Sequence, residues 1–239
     1  MSFSYAKYWS ACVLPLAAAL FSVTAYSGVV IDGTRVIYPA DSREVTVKLT
    51  NTGKRPVLVQ SWLDNGDSKA TPDKIVTPFV LTPPINRVEP GKGQSLRISA
   101  TNVSALRQDR ESVWWLNVLE IPAKPETKDT EPDNYLQLAV RSRIKLFYRP
   151  AALKKYNPSE MVRQLAWDQG SNGLTVKNPT PFHYSLSSIT VAGKKVEAGM
   201  VPPLENRTYS SIRAVPGNTI TVTWIDDYGA SREQEYTVK

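Results

Sequence analysis

The stretch YLQLAVRSRIKLFYRP, residues 135–150, decides the fold class. Its even positions read Leu136, Leu138, Val140, Ser142, Ile144 and Leu146. Its odd positions read Tyr135, Gln137, Ala139, Arg141, Arg143, Lys145 and Phe147. Side chains on a strand alternate between faces, so one face of this segment is nearly all apolar and the other carries three cations. Typical strands run about 5–6 residues, and a run more than twice that long asks for a reason. The plainest reading is a half-buried strand whose apolar face lies on its own core.

Outward from this segment the same grammar repeats. Short runs rich in Val, Ile, Thr, Tyr and Trp alternate with Pro, Gly, Asn and Asp punctuation, and long helical periodicity is absent. Before position 150 the runs are 28–38, 44–50, 57–63, 79–81, 95–100, 112–121 and 135–148. Seven strands separated by turns suit an immunoglobulin-like sandwich. The segment 89–93, EPGKG, is turn chemistry, and the polar, Pro-rich stretch 122–134 reads as a loop joining the last two strands. Pro150 and Pro158 bracket a segment without alternation, where a domain boundary is placed. A second set of runs follows at 164–167, 174–177, 184–191, 195–197, 208–213, 219–225 and 233–238. The expected fold is therefore all-β: two immunoglobulin-like sandwiches, residues 26–149 and 150–239, with a cleft at their junction.

The 239-residue length suits one or two domains. Residues 1–25 read as an export signal: Lys7 supplies a weak positive region, residues 11–21 a short apolar stretch broken by Pro15, and Val23-Thr24-Ala25 a cleavage site. A retained anchor is the competing reading, but the apolar run is short for a bilayer span. The one cysteine, Cys12, lies in that signal, so the mature chain starting at Tyr26 would have neither disulfide nor thiol chemistry. The formal charge of +7 comes from cations spread along the chain rather than from a Lys/Arg run. With export, that favours a carboxylate-bearing partner over nucleic acid.

Catalysis has little to build on. A zinc site would have to be almost all carboxylate, because His183 is the one histidine. A Ser-His-Asp triad through His183 is formally open, but no nucleophile-elbow motif accompanies it, and a structural or surface histidine is expected. Gly-rich phosphate loops are absent. The pair Asp226-Asp227 precedes Tyr228-Gly229 and reads as a hairpin turn. The expectation is a non-enzymatic protein without cofactor or metal. Asn102-Val103-Ser104 and Asn206-Arg207-Thr208 match the glycosylation acceptor pattern, which occurs often by chance.

The stretch LRQDRESVWWLNVLEIPA, residues 106–123, runs an acid–base cluster, Asp109-Arg110-Glu111, into an aromatic strand. At this point the chain resembles the periplasmic chaperones of the chaperone–usher pathway. Their signature is similar to Leu-Pro-x-Asp-Arg-Glu-Ser, an aromatic pair, then Leu-Asn-Val-x-x-Ile-Pro; Arg107 stands where the family usually has proline. TRVIYPA (34–40), LTNTGKRPVLVQSWLD (49–64), FVLTPPINRVEPGKGQSLRI (79–98), RIKLFYRPAAL (143–153), NPTPFHYSL (178–186) and DDYGA (226–230) continue the resemblance over essentially the whole mature chain.

The resemblance implies two sandwiches set at an angle, like a boomerang, that bind newly exported pilus subunits in the periplasm and deliver them to an outer-membrane usher. A subunit lacking its last strand exposes a groove and open edges, and the chaperone lends its own strand by β-augmentation. The family's donor residues fall on Leu136, Leu138 and Val140. Its carboxylate-gripping cations fall on Arg35 and Lys145, and its interdomain ionic network on Glu111, Arg149 and Asp227. A chain-terminal carboxylate suits a guanidinium beside an ammonium, and anchoring one end fixes the strand register. The lack of a cysteine pair favours the branch with a short loop before the donor strand. The competing readings are a secreted two-domain fimbrial subunit or adhesin, and a secreted hydrolase on a sandwich fold.

Overall fold

The computed structural model describes residues 28–123 and 136–239. The expected export signal 1–25, the expected mature start at Tyr26 and most of the 122–134 loop lie outside the described residues. The first half contains β1 Val29–Ile31, β2 Arg35–Pro39, β3 Val45–Asn51, β4 Val57–Asp64, β5 Phe79–Thr82, β6 Ile85–Val88, β7 Gly93–Ala100, β8 Ser112–Pro122 and β9 Val140–Arg149. The second half contains β10 Ala166–Gly170, β11 Gly173–Lys177, β12 Tyr184–Val191, β13 Lys194–Val201, β14 Asn206–Tyr209, β15 Thr219–Ile225 and β16 Ser231–Thr237. One α-helix, Pro158–Met161, and a 3-10 turn at Ala151–Leu153 occupy the segment where alternation stops.

Each half is a two-sheet sandwich. In the first, the sheet β2-β9-β8-β4-β6 faces β1-β3-β7-β5; in the second, β10-β11-β14 faces β13-β12-β15-β16. The first core gathers Tyr38, Leu49, Ile98, Leu116, Leu146 and Tyr148, the second Trp167, Leu174, Phe182, Tyr184, Ile189 and Val222, and the two share no residue. Alternation explains the assignment. On β9, Leu146 and Tyr148 point into the core, whereas the neighbouring Phe147 is buried outside it, against the ring of His183 from the second sandwich.

Three departures from the sequence expectation have physical causes. The run 28–38 is two strands, because Gly33 takes φ 109° and hands the chain from one sheet to the other. β6 hides behind Pro83 and Pro84, and Pro83 follows a cis peptide bond. The expected strand 135–148 enters the ladder at Val140, which pairs with Glu120, near the end of β8 at Pro122. Proline has no N–H to donate, so Leu136 to Ala139 lie outside the ladder.

Candidate functional site

β9 has two kinds of neighbour. Along its whole length it pairs antiparallel with β8, from Val140 opposite Glu120 to Tyr148 opposite Ser112. On its other side β2 runs parallel, but only from Lys145 to Arg149. Residues 140–144 therefore present an open strand edge, and the segment 136–139 extends beyond it. Leu136, Leu138 and Val140 are 83%, 66% and 57% exposed. They continue the face that carries Ile144, Leu146 and Tyr148 into the core, yet sit where the domain's own interior has run out. An apolar row on an open edge is a pairing template and an aggregation liability.

The opposite face of β9 is cationic. Arg35 on β2 is the register partner of Lys145, Lys145 of Trp115 on β8, and Trp115 of Asp64 on β4, a line across four strands. The Lys145 ammonium lies 5.1 Å from the centre of the Trp115 ring and the Arg143 guanidinium 4.2 Å from it. Arg143 is neutralised: Nη2 and Nε donate to the buried Asp64 carboxylate at 2.5 and 2.9 Å. Asn117 Nδ2 and the Gly66 N–H also donate to Asp64, at 2.6 and 2.7 Å. Among the described residues Lys145 has no hydrogen-bonded or ion-paired acceptor. Burial first, then repulsion from Arg35 and Arg143, pushes the Lys145 ammonium below its ordinary range.

Arg35 Nη1 donates to the Ile225 carbonyl at 2.9 Å, while its buried Nε has no partner. Burial lowers the Arg35 guanidinium, and the charges of Asp227, Asp226 and Glu111 offset this only in part. Two adjacent, partly desolvated cations with unused donors make a site for an anion.

The three residues expected to link the sandwiches meet. Arg149 Nε and Nη2 reach Glu111 Oε1 at 2.9 and 2.7 Å, and Nη1 and Nη2 reach the Asp227 carboxylate at 2.8 and 3.1 Å. Glu111 is only 4% exposed. It also accepts from the His183 N–H at 2.9 Å, and its own N–H donates to the Pro181 carbonyl at 2.9 Å. The receiving loop is shaped by Asn178, whose Nδ2 donates to the carbonyls of Phe182 and Pro202. On the other side Asp226 folds the β15–β16 turn by accepting from Tyr228 N–H, Ala230 N–H and Arg232 Nε, which aims Asp227 at Arg149.

The structure thus brings together Glu111, Arg149 and Asp227, places Arg35 beside Lys145, and leaves Leu136, Leu138 and Val140 exposed. Sequence reasoning missed the Asp64–Arg143–Trp115 brace, the bond from Arg35 to the second sandwich, and the buried contact of His183 with Glu111. The acid, base and aromatic residues of the first were visible, but the pairing across β4, β8 and β9 was not.

Two family descriptions match the chain: "Pili and flagellar-assembly chaperone, PapD N-terminal domain" over residues 28–154 and "Pili assembly chaperone PapD, C-terminal domain" over 160–236. The chain belongs to the PapD-like family of pilus-assembly chaperones. Among PapD-like relatives, it is 44% identical over 225 residues to the chaperone protein MrkB of Klebsiella pneumoniae, covering 92% of this chain and 96% of the relative. The crystal structure of the YadV chaperone, which bears the name of an Escherichia coli K12 protein, aligns with TM-score 0.70 at 39% identity over 88% of this chain and 100% of that one. A chain of the Salmonella enterica SafA pilin–SafB chaperone complex aligns with TM-score 0.74 at 33% identity over 90% of this chain and 98% of that one. The Arg149–Asp227 ion pair joins the regions covered by the two family descriptions, with Arg149 in the first and Asp227 in the second.

Proposed function

We propose that this chain is a periplasmic chaperone that binds incomplete pilus subunits, folds and caps them by lending its own strand, and delivers them to an outer-membrane usher. The observation that carries the reading is the row Leu136, Leu138 and Val140, apolar and exposed on the open-edged end of β9 and its extension. In this reading the edge of β9 pairs with a subunit strand, and the three side chains fill pockets left by the subunit's missing strand. Lys145, at the inner end of the same strand, and Arg35, its register partner on β2, hold the subunit's C-terminal carboxylate and so set the register. Arg149, with Glu111 and Asp227, fixes the orientation of the two sandwiches. The domain limits taken with this reading are 26–149 and 150–239, after removal of a signal at 1–25.

Support comes from the chaperone names of the relatives and from the SafB complex with SafA pilin. The lack of cysteine outside Cys12 supports the short-loop branch. The fimbrial-subunit or adhesin reading loses its ground, because both matched descriptions are those of a chaperone. The test is co-expression in a periplasm with each pilin encoded beside the gene. A one-to-one complex with at least one pilin is expected, and failure to recover any pilin with soluble, folded chaperone would refute the reading.

A further inference from the structure

The core-facing row of β8 reads Trp114, Leu116, Val118, Glu120 and Pro122, with one carboxylate among apolar side chains. Glu120 is the register partner of buried Val59 on one side and exposed Val140 on the other. It therefore stands where the sandwich's own core stops and the exposed apolar row begins. Its Oε2 accepts from the Val29 N–H at 2.7 Å. Val29 begins β1 in the opposite sheet, so this carboxylate spans the gap between the two sheets at their open end. The contact is built for close approach: a Cβ on Gly28 would lie 2.0 Å from Glu120 Oε1. Just beyond it, an open cavity is lined by Glu120, Gly28, Val57 and Arg55 together with Leu136 and Leu138.

Three exposed apolar side chains beside an open sandwich end have a cheaper alternative than solvent, which is to fold inward. A leucine laid over Glu120 would strip water from a carboxylate without offering it a partner. We propose that Glu120 is a positioning residue, a polar seal that ends the domain's own core and keeps Leu136, Leu138 and Val140 available to a partner. The proposal deepens the strand-lending reading and rests on it for its purpose, but its test does not.

Because Cys12 is the one cysteine and lies in the expected signal, Leu138→Cys gives an exported protein with a single reporter thiol. Its alkylation by iodoacetamide is measured in the wild-type, Glu120→Gln, Glu120→Leu and Gly28→Ala backgrounds, with circular dichroism to establish folding. Glu120→Gln keeps an oxygen for the Val29 N–H and should label within about twofold of wild type. Glu120→Leu should slow labelling at least tenfold. Gly28→Ala, which pushes the carboxylate off Val29, should slow it severalfold and decides the matter if Glu120→Leu fails to fold. Unchanged labelling in every folded variant overturns the seal. Pilin capture is scored in parallel without the reporter: slowed labelling in variants of a wild type that captures no pilin would sink the strand-lending reading and leave the seal standing.

Discussion

Replacing Arg149 by alanine tests how the two sandwiches are held. The substitution removes both N–H bonds to Glu111 and both to Asp227. The two arms are not equal. Asp227 has a third of its side chain exposed, so its arm resembles a surface pair and contributes up to about 1 kcal/mol. Glu111 has a 2% exposed side chain, and losing the guanidinium leaves its charge desolvated, with the His183 N–H at 2.9 Å and the His183 ring Nδ1 at 3.4 Å as its remaining side-chain contacts. Breaking such a pair costs about 3–5 kcal/mol, less where water enters the vacated space. We expect a loss of about 3 kcal/mol, or roughly 6–12 °C for a chain of this size. Burial opposes the Arg149 charge, but the hydrogen bond and charge of Asp227 and the charge of Glu111 outweigh it and hold the guanidinium above its ordinary range. A raised basic group stabilises fully below its unfolded pKa, so this contribution is present at every physiological pH. The assay is thermal and urea unfolding, with small-angle scattering of the native protein. Arg149→Lys, which keeps the charge but not the fork, should fall between. An alanine variant with wild-type melting and an unchanged scattering curve would refute the clasp.

Arg35→Ala and Lys145→Ala should each leave a folded protein whose pilin affinity falls roughly 10- to 150-fold, the worth of one charge-assisted hydrogen bond; wild-type affinity in either removes that residue from the clamp. Because the Lys145 ammonium sits below its ordinary range, pilin affinity should decline with rising pH sooner than the usual lysine pKa of about 10.4 implies, and Lys145→Arg should abolish the decline. Burial works to raise the Asp226 carboxyl, but donors from Arg232, Ala230 and Tyr228 bring it below its ordinary range. A depressed carboxyl stabilises above its unfolded pKa of about 3.9 and loses that contribution as pH falls through the folded value, so Asp226→Asn should flatten the acid limb of stability measured by urea unfolding.

Much of this was legible because sandwiches write their faces into alternating residues. The even row from Leu136 to Leu146 named the core side of β9, while the family resemblance named Leu136, Leu138 and Val140 as donors, and neither said where one becomes the other. That boundary belongs to β8, whose Pro122 ends the ladder and whose Glu120 faces Val140. The clasp residues were placed by family resemblance, since Arg149 and Asp227 are 78 positions apart and no local pattern joins them. The Arg143–Asp64 brace, 79 positions apart, and the bond of Arg35 to Ile225, 190 apart, escaped for the same reason. His183 was expected to be a structural or surface residue, and its backbone N–H and ring lie against Glu111. Identifying Glu111 as its partner required knowing how the loop around Asn178 folds against β8.

The central claim is that Leu136, Leu138 and Val140 serve a partner's core and not their own. Leu138→Asn separates the two roles, because Leu138 is 66% exposed in the chain by itself. Burying a leucine is worth about 1.5–3 kcal/mol, so a partner's loss of it should weaken capture by roughly 10- to 150-fold. The measurement pairs the unfolding free energy of the variant with its pilin affinity. Stability within about 0.5 kcal/mol of wild type together with that loss of affinity is the predicted result. A variant that is destabilised by several-fold more than this, while its folded fraction captures pilin as well as wild type, would place Leu138 in the chaperone's own core and contradict the account.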